Sequence, residues 1–138
     1  MTDQEVLFDY RMHQAEETLA DAEKMLQQGM SPRSIINRAY YAAFYAVLAL
    51  FLRTNIRVDT SRHSGVIAIF DKEFVHAGKI EKMFSRILHD LFDARQEFDY
   101  KELVNPTAQE AAERVRMARE FVSRSRSFMA AGINDKLG

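Results

Sequence analysis

The sequence predicts an all-α fold, an up-and-down bundle of four to five helices, and three observations carry that reading. Only two prolines and five glycines interrupt 138 residues, and 47% apolar content with abundant Ala, Leu, Glu and Arg favours helix. Between those breaks the apolar residues recur at helical spacing. The fourteen residues from Ala39 to Leu52 are Ala, Tyr, Phe, Val and Leu alone, which makes a helix with no wet face that its neighbours must cover. A chain of this length supports one real core, so residues 1–138 are read as a single domain.

The first helix is expected from Asp3 to Gln28, with Val6, Leu7, Tyr10, Ala15, Leu19, Ala22 and Leu26 on one face and Gly29 as its stop. Ser31-Pro32 reads as the cap and first turn of the second helix. Within it Ile35, Ala39, Ala42, Ala46 and Ala49 form a small-residue stripe, opposite the bulkier Asn37, Tyr41, Phe44, Leu48 and Phe51. A five-helix monomer is expected to cover only part of this helix, which points to a homodimer. Spanning a membrane needs about 20 apolar residues, and this run stops at Arg53 with three tyrosines inside it, so a core helix is expected and no membrane partner.

Arg53 to Asp59 is a polar connection, after which Thr60 or Ser61 is expected to cap a third helix running to about His76, before Gly78. The fourth helix is expected from Ile80 to Phe98, burying Met83, Phe84, Ile87, Leu88, Leu91 and Phe92. Asn105-Pro106 reads as the cap and first position of a fifth helix that ends near Ala131. Short connections between long helices favour antiparallel neighbours.

Net charge of -1 and a pI of about 6.4 give no global case for nucleic acid, so such binding must rest on a local patch. Without cysteine, disulfides and thiolate chemistry are excluded. The acidic start from Met1 to Glu5 lacks the basic and apolar regions of a signal peptide, and a cytoplasmic location is expected.

Four constellations could carry chemistry. Glu73-x-x-His76 has the spacing of a di-metal carboxylate bundle, but such sites need a second copy and the sequence has none, so no metal and no cofactor is expected. His13 sits among Arg11, Gln14 and Glu16 as a surface residue, and His89-x-x-x-Asp93 fits a surface hydrogen bond as well as it fits zinc. Asp90, Asp93 and Glu97 line one face of the fourth helix, with Arg95 on another side; a solvated face explains the carboxylates as well as acid-base work does. Arg114, Arg116, Arg119, Arg124 and Arg126, offset only by Glu120, make a local positive excess that suits a phosphate backbone, with Arg119 and Arg124 as the binding candidates, or suits an acidic face elsewhere.

The last constellation carries a resemblance. Asn37-Arg38-Ala39-Tyr40-Tyr41-Ala42-Ala43-Phe44, then Arg62-His63-Ser64-Gly65-Val66-Ile67 with Phe70 and Phe74, then Leu91-Phe92-Asp93-x-Arg95-Gln96-Glu97-x-Asp99-Tyr100, resembles the HEPN domain, in particular a small stand-alone prokaryotic branch of that superfamily. The resemblance covers about Glu5 to Phe128 and implies a bundle that pairs through its central helices. Many HEPN proteins are metal-independent endoribonucleases, often toxins paired with a nucleotidyltransferase-type antitoxin, whose site is an Arg followed four to six residues later by His and is doubled by dimerisation. Arg95 matches the arginine and Tyr100 stands at the histidine position, so the resemblance makes Arg95 and Tyr100 the catalytic candidates. A phenol with a pKa of about 10 is a poor base beside imidazole, yet Arg95 can still clamp a phosphate and Tyr100 can stack on a nucleotide. Asn37 and Arg38 are expected near the same cleft. Two functions follow from the resemblance: an RNA- or nucleotide-binding, toxin-like endoribonuclease, or a non-catalytic module that docks a nucleotidyltransferase partner.

Overall fold

Thr2 opens α1 (Asp3–Gln27) with a capping box: its hydroxyl accepts from the Glu5 amide at 3.1 Å, and the Glu5 carboxylate accepts from the Thr2 amide at 3.2 Å. The computed structural model describes residues 2–100 and 104–137, with side chains described for 2–99 and 104–131. Gly29 closes α1 at φ 69°, a left-handed conformation that glycine adopts without strain. Pro32 then stands at the start of α2 (Pro32–Arg53), with Ser31 at the cap position but making no side-chain cap hydrogen bond.

Packing against α1, α4 and α5 makes α2 the centre of the bundle. Every residue from Ala39 to Phe51 is buried except Tyr41 and Tyr45, which are half-buried. This corrects the expectation that one chain leaves much of the helix uncovered. The alanine stripe, together with the fully buried Ala15 and Ala22 of α1, lets helices pack closely enough to enclose it, so composition alone does not require a second copy. The length argument against a membrane also changes. By length and composition the 22-residue α2 is long and apolar enough to cross a bilayer, but 72% of its most apolar stretch is buried inside the bundle.

Asp59 accepts from both the amide and the hydroxyl of Ser61, so the expected Thr60 or Ser61 cap is not formed and Arg62 occupies the cap position of α3 (His63–Phe70). A π-helical turn, Asp71–Val75, continues α3 to the expected end. It carries Phe74 into the core, 5.7 Å from Phe70 and 6.1 Å from Phe51 between ring centroids. Emptying such a site by Phe74→Ala costs about 3–5 kcal/mol.

The fourth helix, α4 (Lys82–Tyr100), begins two residues later than Ile80. Met83, expected in its buried set, is exposed, as are Val6, Leu7 and Tyr10 on the first turns of α1. The fifth, α5 (Ala108–Leu137), is capped by Thr107 rather than Asn105-Pro106: the Thr107 hydroxyl accepts from the Glu110 amide at 3.1 Å and the Glu110 carboxylate lies 3.4 Å from the Thr107 amide. The helix runs past Ala131. Arg33 holds the approach to it, donating to the Val104 carbonyl at 2.8 Å and to the Asn105 side chain at 3.2 Å.

Candidate functional site

Two helices meet with matched spacings. On α2, Asn37 and Tyr41 lie one turn apart; on α4, Arg95 and Asp99 do the same. The Arg95 Nε stands 3.0 Å from Asp99 Oδ2, and the Asn37 amide donates to that same oxygen at 3.2 Å. Arg95 Nη2 donates to the Tyr41 hydroxyl at 3.3 Å, and the guanidinium carbon lies 5.7 Å and 5.5 Å from the ring centroids of Tyr40 and Tyr41. Arg38 reaches the Tyr41 ring as well, at 5.8 Å. Arg95 is therefore held by charge, hydrogen bond and aromatic face together, with 17% of its side chain exposed.

A third element closes the site. His63, the first residue of α3, stacks on Phe44 at 4.1 Å and 18°, and its Nδ1 is 2.7 Å from the hydroxyl of the fully buried Tyr40. Burial, then the nearby Arg95 charge, pushes the His63 pKa below its ordinary value of 6.5, so the ring is neutral at neutral pH. Burial likewise pushes the Tyr40 phenol up and keeps it protonated. Tyr41, Ser61, His63, Ser64, Phe92, Arg95 and Gln96 line a depression of about 470 Å³. The chemistry suits a nucleotide: a planar cationic fork for phosphate, rings for a base, and hydroxyls and an amide for sugar or base edges.

Of the residues singled out in the sequence, Arg95, Asn37 and Arg38 come together here. Tyr100 is the last residue of α4, and its side chain lies outside the described residues. Arg119 and Arg124 do not line the depression. Arg119 pairs with Glu23 at 2.9 Å, and Arg124 pairs with Glu81 at 2.9 Å and donates to the Lys79 carbonyl at 3.3 Å. The Arg124 hydrogen bond holds the Glu81 carboxyl below its ordinary pKa. Arg114 pairs with Asp90, Arg116 with Glu113 and Glu120, and Arg126 with Glu16, so the positive excess of α5 is balanced within the chain. Of the acidic face on α4, Asp90 is drawn to α5 while Asp93 and Glu97 are exposed.

His89 bonds Asp71 at 2.6 Å rather than Asp93, and Asp71 also accepts from Ser85. Among the described residues no three His, Cys, Asp or Glu side chains gather as metal ligands. Sequence reasoning missed His63, Tyr40 and Asp99 as site residues. No local spacing marks His63, which meets Tyr40 and Arg95 only once α3 folds back on α2 and α4.

Fold and pocket together define a helical-bundle protein with a basic, aromatic depression between its central helix and α4. Residues 8–127 match the HEPN domain family, and the chain belongs to that family. It is 37% identical to a UPF0332 protein of Thermotoga maritima over 122 residues, covering 88% of this chain and 90% of that one. It is also 37% identical to the "Putative toxin MJ0605" of Methanocaldococcus jannaschii over 110 residues, covering 80% and 79% of the two chains. A second protein of that organism, "Putative toxin MJ0142", is 27% identical over 94 residues, 68% of this chain and 63% of its own.

Proposed function

We propose that this chain is a toxin-like HEPN protein that holds RNA with a phosphate on Arg95 and cleaves it without a metal ion. The observation that carries the reading is the set of groups around Arg95: a fork paired with Asp99 and bonded to the Tyr41 hydroxyl, in a depression lined by hydroxyls, an amide and aromatic rings. Binding a phosphate there turns the guanidinium partly from Asp99, which keeps its hydrogen bond to Asn37. Relatives that carry toxin in their names support the toxin-like part of the reading. Asn37 and Arg38 extend the site toward the sugar and the next phosphate, and Tyr100 is assigned to it from the family resemblance alone. Arg119 and Arg124 offer a second contact for a longer RNA only if it displaces Glu23 and Glu81. We further propose a homodimer as the working unit and a nucleotidyltransferase-type antitoxin as the partner.

The test is incubation of purified protein with total RNA in EDTA. Cleavage that Arg95→Ala abolishes supports the enzyme. Absence of cleavage and of RNA binding, with tight binding of a nucleotidyltransferase partner, makes the chain a docking module instead.

A further inference from the structure

We propose that His63 is the general base of this site, taking the proton from the 2′-hydroxyl of a ribose whose 3′-phosphate lies on Arg95. This inference rests on the RNA reading above and names the group that does the chemistry. Cleaving RNA without a metal needs a proton acceptor that works near neutral pH, and a phenol at the Tyr100 position is poorly suited to that task. Of the four histidines, His13 is exposed beside Glu17, His76 is exposed at the end of the π turn, and His89 is held by Asp71. His63 alone lines the depression that Arg95 lines.

The ring is also held for the task. Phe44 stacks flat on one face at 4.1 Å, Tyr41 meets it edge-on at 5.9 Å and 82°, and the Tyr40 hydroxyl engages Nδ1 at 2.7 Å. With Nδ1 taken, Nε2 is the nitrogen left for substrate. For Nε2 to act as the base, Tyr40 must accept from Nδ1–H, and the same contact then holds the imidazolium formed after proton transfer. Tyr40 is thus a positioning residue, comparable to the groups that fix a catalytic ring elsewhere. Facing the ring are Tyr40 and Tyr41 from α2 and Arg95 from α4, with the Asp59–Arg62 pair in the turn before it. Burial and the Arg95 charge both disfavour protonation, which keeps the base form present at neutral pH.

The step balances without a co-reactant. The 2′-hydroxyl proton moves to His63 Nε2 as the 2′-oxygen bonds to phosphorus. The bond from phosphorus to the 5′-oxygen breaks, and that oxygen leaves with the electron pair and takes a proton from water. The hydroxide so formed in turn takes the proton from His63 Nε2 and returns the ring to its neutral form. Charge growing on the non-bridging oxygens is met by the Arg95 fork. The products are a 2′,3′-cyclic phosphate end and a 5′-hydroxyl end.

The experiment uses the full chain in EDTA with a labelled single-stranded RNA of mixed sequence and its DNA counterpart as control. Wild type is expected to cut only the RNA, leaving cyclic phosphate ends, with a rate that rises through the depressed His63 pKa and levels off near neutrality. His63→Gln is expected to lose about 10²–10⁴-fold in rate with RNA affinity changed by less than about threefold. Tyr40→Phe, which removes one oxygen and keeps the ring packing, is expected to lower kcat by roughly tenfold, leave KM unchanged and move the acidic limb of the profile. Wild-type rates in both variants overturn the role of His63 while the RNA reading stands. RNA binding without cleavage by wild type also overturns it and leaves only the binding part of the reading. Neither binding nor cleavage overturns both.

Discussion

Arg95→Ala tests how the site is held as well as what it binds, because the guanidinium is bound on several sides. Truncation removes the ion pair to Asp99, whose partners' side chains are 17% and 24% exposed, and the hydrogen bond to Tyr41. A charge-assisted hydrogen bond of this kind contributes about 1.5–3 kcal/mol, and a partly desolvated cation over a ring contributes about 0.5–2 kcal/mol. These terms share one group and do not add. Asp99 keeps the Asn37 amide at 3.2 Å, and the variant no longer buries a guanidinium, so the net loss is about 2 kcal/mol. For a domain of this size that lowers Tm by roughly 6–8 °C, well short of unfolding it at 25 °C. Thermal melting followed by far-ultraviolet dichroism, with RNA affinity measured at 25 °C, reads both effects. The expected result is a lower Tm, an unchanged helical signal at 25 °C and RNA affinity reduced by more than about tenfold. A Tm within about 1 °C of wild type would show that the contacts to Asp99 and Tyr41 do not hold this side chain. Unchanged RNA affinity would remove Arg95 from the phosphate site.

Reversing Arg119 and Arg124 to Glu sets them against Glu23 and Glu81; a loss of about 1 kcal/mol in stability is expected, with RNA affinity close to wild type, both read by melting and titration. A steep, salt-dependent fall in affinity would instead put the RNA path along α5. Because the folded pKa of His63 is below its unfolded value, its contribution to stability is present above about pH 6.5 and is lost as pH falls toward the folded value. Between about pH 7 and pH 5 the Tm of wild type should therefore drop more than that of His63→Gln, and parallel drops would contradict the pKa direction. Light scattering should report twice the 16.0 kDa chain mass, and a monomer at micromolar concentration would refute the proposed dimer.

How much was legible in the sequence depended on how local the cause was. The left-handed Gly29 stop, Pro32 at the start of α2 and the apolar run inside α2 are local, and α1 and α2 stand where the sequence places them. Asn105-Pro106 offers a plausible start to α5 two residues early, whereas Thr107 and Glu110 together satisfy two backbone groups rather than one. The composition of α2 suggests more apolar surface than one chain covers, because it does not show how closely Ala15 and Ala22 of α1 and the alanine stripe of α2 let the helices approach. Arg95 was found through its resemblance to a family pattern, but its anchoring by Asn37, Asp99 and two tyrosine rings comes from α2 and α4 meeting. His63 lies in the Arg62–Ile67 stretch that carries the resemblance, but its place beside Arg95 depends on α3 folding back on α2 and α4, which no spacing within that stretch encodes.

The central claim is that RNA is held in the Arg95 depression, and backbone and side-chain NMR shifts during titration with a short single-stranded RNA test it most directly. The expected result is a saturable set of shifts at Tyr41, His63, Ser64, Arg95 and Gln96, lost in Arg95→Ala. Shifts confined to the surface around Arg119 and Arg124, or none at RNA concentrations that saturate a known RNA-binding control, would contradict it.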